Sequence, residues 1–212
     1  MEPFYAGLAP ETAMEMAELS RRLFHLREER KQWLASIGHE DDDQALLDAI
    51  GAGRVAEHPG YEIWLASQLS LQQQQVLRER LDWRCRHPAG PGEAWDSAHP
   101  LDAIALTLRL PEAFHPDFVF ADDGLALRGL AGEEVMIRWL SGTRWSVEWR
   151  IGDDLWRLDN APVAHAGVDT PAHLHCPDGS VTDDPFATHD AALDDAARLQ
   201  RIIDGIAQSF VA

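Results

Sequence analysis

Apolar residues recur with two different periods along the chain, and the change divides it in two. Through residues 10–37, Met16, Leu19, Leu23, Leu26, Trp33 and Ile37 fall on steps of three and four, interrupted only by Arg30. That spacing predicts one long amphipathic helix, its stripe narrow enough for a coiled-coil-like hairpin. Arg21, Arg22 and the run from Arg27 to Lys31 supply a solvated face with i,i+4 ion pairs. His39-Glu40-Asp41-Asp42-Asp43 breaks the pattern and suits the start of a second helix, where backbone N–H groups and the dipole favour negative charge. Leu46, Leu47 and Ile50 form its apolar side, and Gly51 and Gly53 end it. A third helix is expected over residues 61–84, with Ile63, Trp64, Leu65, Leu69, Val76, Leu77 and Leu81 inside. Helices one and three match in length, so they should pair antiparallel with the second as a cross-piece.

Beyond a Pro/Gly-dense stretch from Arg86 to Gly92 the period falls to two. Alternation predicts strands over residues 103–110, 114–120, 125–127, 135–140, 145–151 and 155–158, joined by turns such as Asp122-Asp123-Gly124 and Gly152-Asp153-Asp154. A helix over residues 190–210, carrying Leu193, Leu199, Ile202, Ile203 and Ile206, would cover one face of this sheet. The other face, or its edge, is left for a histidine-rich segment. The expected fold class is therefore α+β: a three-helix module (1–85), a linker (86–97), and an antiparallel meander of five to six strands under a C-terminal helix (98–212).

Composition narrows the functional classes. A chain of 212 residues, 45% hydrophobic and 25% charged, is ordinary for a globular protein with a real core. No apolar run is long enough to span a membrane, and residues 1–11 lack the basic and apolar regions of a signal peptide, so a cytoplasmic location is expected. Two cysteines, Cys85 and Cys176, make neither a disulfide framework nor a four-cysteine zinc site. The net charge of −18, with Lys31 the sole lysine, repels phosphate backbones and argues against duplex DNA as a partner. A single RNA strand at a local Arg-lined cleft, or a protein partner or second copy held through the N-terminal helices, is compatible with it.

Chemistry concentrates in residues 157–176. Arg157, Asp159, Asn160, His165, Asp169, Thr170, His173, His175 and Cys176 crowd there, and no other stretch gathers as many groups titrating near neutrality. His173 and His175 are two apart, so on an extended segment both rings point to one side; the same holds for Arg157 and Asp159. Two histidines sharing acid and base duty, Arg157 on the phosphate and Asp159 orienting a ring would suffice for RNA cleavage without a metal or other cofactor. A metal-dependent hydrolase would instead use His165, His173 and His175, with Cys176 or Asp169 as a further ligand. The plainest reading makes Asp159-Asn160 a turn cap before Pro162 and the histidines a polar loop.

The pattern Trp156-Arg157-Leu158-Asp159-Asn160-Ala161-Pro162, a following histidine, and Thr170-Pro171-Ala172-His173-Leu174-His175 resembles the TumE family, small toxins of prokaryotic toxin–antitoxin pairs. The family pattern has Tyr at Leu158, a His pair at Val163-Ala164 and a His at Ala172. The likeness covers about residues 98–207, and residues 1–85 are faintly similar to the proteins encoded beside such toxins. The resemblance implies a toxin–antitoxin function with RNA cleavage at the Arg157–His175 cluster. A catalytically degenerate, acidic interaction module of a mobile-element or defence system is the alternative.

Overall fold

The structure is a computed structural model that describes residues 7–39, 42–88 and 101–210. Three helices come first: α1 (Pro10–Ser36), α2 (Asp43–Gly51) and α3 (Glu57–Arg86). The long stripe of α1 faces α3 in an antiparallel hairpin. Thr12 Oγ1 donates to the Pro88 carbonyl, Glu15 meets Arg80 and Arg84, the Leu26 carbonyl accepts from Ser70 Oγ, and Arg30 meets Ser67. Leu19, Leu23, Leu26 and Leu77 fill the seam. At the far end Leu34, rather than Trp33, is the buried residue. The one polar interruption of the stripe is itself buried. Arg30 donates to Ser67 Oγ and to Asp43 Oδ2, both at 2.8 Å, and Ser67 Oγ donates to Asp43 Oδ1 at 2.7 Å. One guanidinium thus joins all three helices where α2 crosses. Asp42 caps α2 by accepting from Ala45 N–H.

After α4 (Asp102–Ala105) the chain forms β1 (Val119–Ala121), β2 (Gly124–Arg128), β3 (Glu134–Ser141), β4 (Arg144–Ile151), β5 (Asp154–Asp159), β6 (His173–His175) and β7 (Val181–Asp183), then α5 (Asp195–Ser209). The strands run β1 to β7 in sequence order, every neighbour antiparallel. The fold is α+β as expected, with seven strands instead of five to six.

The expected first strand is a helical turn. Leu101, Ile104, Ala105 and Leu108 lie on the helical spacing i, i+3, i+4, i+7 and pack on the main core, while Leu106, the residue that alternation would bury, is 88% exposed. The second expected strand survives only as β1 and a single bridge from Phe114 to Gly129, because Pro116 between them has no N–H to give a ladder. The stretches β6 and β7 are three residues each, too short for alternation to announce. Of the expected linker, residues 89–97 lie outside the described residues. No helix among the described residues is long and apolar enough to cross a membrane.

The two faces of the sheet have different roofs. Val135, Ile137, Trp139, Trp145, Val147, Trp149, Leu158 and Leu174 pack under Leu199, Ile202, Ile203 and Ile206 of α5. The opposite face meets the N-terminal part of α3. A smaller core there joins Leu34, Leu46, Leu47, Ile50, Tyr61, Trp64 and Leu65 of the helices to Leu140, Ala161 and Val163 of the sheet and its loop.

Candidate metal centre

Strand pairing places most of the site. Asp159 is opposite His173 and Arg157 opposite His175 across β5 and β6. Ser146 is opposite Asp159 and Glu148 opposite Arg157 across β4 and β5. Because side chains alternate, these six share one face, while Val147, Leu158 and Leu174 between them turn to the α5 core. The start of α3 covers this polar face. His58 holds extended backbone angles (φ −113°, ψ 132°) inside the Glu57–Arg86 segment, which breaks the helical run where Glu57, His58 and Glu62 reach the strands. His165 comes from the connection between β5 and β6.

Four histidines and two carboxylates converge. Glu57 Oε1 lies 2.9 Å from His173 Nε2 and 3.6 Å from His175 Nε2, and Glu57 Oε2 lies 3.0 Å from His165 Nε2. Asp159 Oδ2 lies 3.6 Å from His58 Nε2 and 3.8 Å from His175 Nε2, and its Oδ1 is 3.5 Å from His173 Nε2. The rings of His165, His173 and His175 have centroids 4.5 to 5.2 Å apart, and His58 meets His175 edge-on at 4.3 Å. Asp159 is wholly buried and His173 2% exposed.

Burial and neighbouring charge pull these groups apart in pKa. Burial pushes the Asp159 carboxyl up to about 7, with His173 and His58 countering only in part. Burial also opposes ionisation of Glu57, but the hydrogen bond with His173 and the neighbouring His175 and His58 rings outweigh it and hold that carboxyl far below the usual range. His173 is raised: burial works against its charge, and the Glu57 hydrogen bond, Asp159 and the Pro171 carbonyl together win. His175 is lowered by burial, with His58 and His173 reinforcing that and Glu57 opposing it.

The remaining polar groups act as supports. His58 Nδ1 donates to Glu62 Oε1 at 2.8 Å, which turns Nε2 toward Asp159 and His175. Arg157 is not open to a phosphate. Its Nε and Nη2 donate to Glu148 Oε1 at 3.0 and 2.6 Å, and Nε lies 2.9 Å from Glu62 Oε1. It therefore steadies the carboxylate that orients His58. Asn160 Oδ1 accepts from the Tyr61 hydroxyl at 3.0 Å and from Trp145 N–H at 2.9 Å, so it latches α3 to β4. Asp159 does cap the turn, since its Oδ1 accepts from Ala161 N–H, and it faces the cluster as well. Cys176 packs on the apolar core, and Asp169 gives its N–H to Asp183 Oδ1 on the surface. Neither joins the cluster.

Sequence reasoning passed over Glu57 and His58. They precede Pro59-Gly60 and read as a helix start, and Glu57 is 116 residues from the His173 it contacts. Their only local signal is a His and a carboxylate side by side outside any apolar stripe.

The donor set suits a cation. Glu57, His165, His173 and His175 present one ligand atom each, all within 4.8 Å of one another; so do Glu57, His58, Asp159 and His175. Among the described residues, His58 Nε2, His165 Nε2, His175 Nε2 and Asp159 Oδ2 are buried without a hydrogen bond, the 3.0 Å approach of His165 to Glu57 lying outside hydrogen-bond geometry. Buried polar atoms are normally paired, so four unpaired ones aimed together point to a missing partner. A cavity of about 760 Å³ opens beside the cluster, lined by His165 and His173 and by Arg144, Thr170 and His189. No family model matches the chain, and no curated protein or solved structure matches it.

Proposed function

We propose that this protein is a metal-dependent hydrolase holding a divalent ion among Glu57, His165, His173 and His175. The observation that carries the reading is the four-atom set within 4.8 Å, in which His165 Nε2 and His175 Nε2 are buried and have no hydrogen bond. Imidazole and carboxylate ligands suit zinc and similar first-row ions. A metal in such a site lowers the pKa of bound water enough to supply hydroxide at neutral pH. The protein's own share is orientation. Strand pairing supplies it, with His173 opposite Asp159 and His175 opposite Arg157 across β5 and β6.

The cavity beside His165 and His173 is the place for a substrate. Arg144 lines it, and among the described residues no carboxylate pairs with that guanidinium, which favours an anionic group such as a phosphoester. The likeness of residues 156–175 to TumE toxins makes single-stranded RNA the first substrate to try, acting in a cytoplasm where Cys85 and Cys176 stay thiols. A metal-free mechanism with Arg157 on the phosphate has less support, because Glu148 and Glu62 already occupy that guanidinium.

The test uses the full chain, its metal content measured, with labelled single-stranded RNA and bis(p-nitrophenyl) phosphate as substrates. Hydrolysis abolished by chelation, restored by Zn²⁺ or Mn²⁺, and lowered in His165→Ala beyond the roughly 10–100-fold of an outer-shell change is expected. RNA cleavage undiminished by chelation would return the reading to a His173/His175 acid–base pair. No retained metal and no hydrolysis would leave an interaction module.

A further inference from the structure

We infer that the centre is built for two metal ions, with the Glu57 carboxylate bridging them; this rests on the metal reading above. The first ion takes Glu57, His165 and His173, and His175, which belongs to both ligand sets, passes to the second with Glu57, His58 and Asp159. Distances separate the second set from an ordinary hydrogen-bonded cluster. Asp159 Oδ2 to His58 Nε2 is 3.6 Å and Asp159 Oδ2 to His175 Nε2 is 3.8 Å. Both exceed the roughly 2.7–3.2 Å of a hydrogen bond with a nitrogen donor. They lie close to the edge of a tetrahedron of ligands each about 2.0–2.1 Å from a zinc ion, which is about 3.3–3.4 Å.

All three of those atoms are buried and unpaired. His58 Nδ1 donates to Glu62, so the ring turns its other nitrogen toward a wholly buried carboxylate oxygen 3.6 Å away, too far for a direct hydrogen bond. Polar atoms left unpaired in a dry gap cost free energy that a cation bound between them would recover. The Glu62 carboxylate behind His58 is the outer-shell partner expected of a metal-bound imidazole, and Arg157 holds that carboxylate in turn.

A single ion would leave half the set idle. Glu57 touches both sets, with Oε2 toward His165 of the first and Oε1 toward both His173 of the first and His175 of the second. A bridging carboxylate of this kind holds ions about 3.5–4 Å apart in two-metal hydrolases, where the pair stabilises both the attacking and the leaving oxygen. His165 and His173 line the cavity, whereas His58, Asp159 and His175 do not. The first ion is therefore the open one, and the second lies behind it against α3.

Metal stoichiometry on the full chain separates this inference from the one beneath it. Apo-protein is titrated with Zn²⁺ and counted by elemental analysis, and with Mn²⁺ followed by electron paramagnetic resonance. Two equivalents per chain are expected, with an exchange-coupled Mn²⁺ spectrum at saturation. His58→Gln and Asp159→Asn should each bind one equivalent and give the uncoupled six-line signal, with circular dichroism unchanged. The wild-type spectrum alone decides the matter if either variant fails to fold. One equivalent in the wild type, or an uncoupled signal at two, overturns the bridged pair and leaves the single-ion hydrolase standing. Two equivalents retained in both variants place the second ion elsewhere and overturn the assignment. No binding overturns both readings.

Discussion

The two faces of the sheet are made by the same strands and obey opposite rules. On β4, Trp145, Val147 and Trp149 turn to α5, and Ser146 and Glu148 turn to α3. On β6, Leu174 turns to α5, and His173 and His175 turn to α3. Under α5 the packing is largely apolar, with Trp139 stacked on Trp145 at a centroid separation of 5.1 Å, although the indole N–H groups of Trp139, Trp145 and Trp149 are buried without a hydrogen bond. Under α3 an apolar patch around Tyr61 and Trp64 lies beside an Arg–Glu ladder and the His–carboxylate cluster, several of whose atoms have no hydrogen bond. The difference teaches where stability and chemistry reside. Apolar burial stabilises at about 25 cal/mol per Å², whereas buried charge at best offsets its own desolvation. Unpaired atoms occur on both faces, but only under α3 do several of them, on titratable side chains, converge at one point.

The sharpest contrast should come from truncating the apolar face. Trp145→Ala removes a wholly buried side chain and its stacking partner's contact, and should cost about 3–5 kcal/mol in urea denaturation. A loss below about 1 kcal/mol would mean that α5 and the sheet are not the main stabilising unit. The next effect is on the polar face, in its structural half. Burial opposes ionisation of Glu148, yet Arg138 and Arg157 outweigh it, and its carboxyl sits below the ordinary value of 4.5. A depressed carboxyl contributes stability that is present above that ordinary value and is lost as pH falls through the folded one. Glu148→Gln should therefore cost about 1.5–3 kcal/mol at pH 7, the scale of hydrogen bonds to charged groups. The gap from the wild type should close as pH drops below 4.5. A gap that stays constant through acid pH would show that the ladder carries no linked charge.

The same contrast explains what the sequence could and could not disclose. Long helices and strands with one apolar face were legible, because a 3.6 or 2.0 period over seven or more residues leaves few alternatives. The stretch from Ile104 to Leu110 misled because its alternation and a helical spacing coexist, and α5 offered a surface only to the helical set. Among the site residues, His165, His173 and His175 stood out because three of the ten histidines lie within eleven residues. Glu57 and His58 were invisible. A site assembled by laying a helix start across strands more than 100 residues later has no local pattern, and Asp159 and Arg157 looked like equal members of it. Only their surroundings differ: Asp159 faces the rings, and Arg157 faces Glu148 and Glu62.

How firmly the polar face is fastened can be read at its latch. Tyr61 OH donates to Asn160 Oδ1, which also holds Trp145 N–H. Tyr61→Phe keeps the ring that stacks on Trp64 and removes one hydrogen bond, leaving Asn160 with its backbone donor. A loss of about 0.5–1.5 kcal/mol is expected by urea denaturation. A loss of 3 kcal/mol or more would show that the hydroxyl positions α3 on the sheet rather than merely adding to its contacts.

The smallest expected effect is the one that separates the faces most cleanly. Asp159 is as buried as Leu158 beside it, yet Asp159→Asn should change the stability of the chelator-treated protein by less than about 1 kcal/mol. The Asn carbonyl still accepts from Ala161 N–H, which preserves the turn cap. The amide nitrogen then stands where Oδ2 stood, facing His58 and His175 at hydrogen-donating rather than accepting polarity, and the carboxylate charge at that position is gone. Removing that charge offsets whatever its partial pairing contributed, so a small gain is as consistent with the argument as a small loss. Added Zn²⁺ should raise the unfolding midpoint of the wild type more than that of the variant, because a ligand that binds only the folded state stabilises it in proportion to its occupancy. A loss of several kcal/mol without metal would show that Asp159 is a structural keystone whose charge is already compensated. The polar face would then differ from the apolar one in composition but not in purpose.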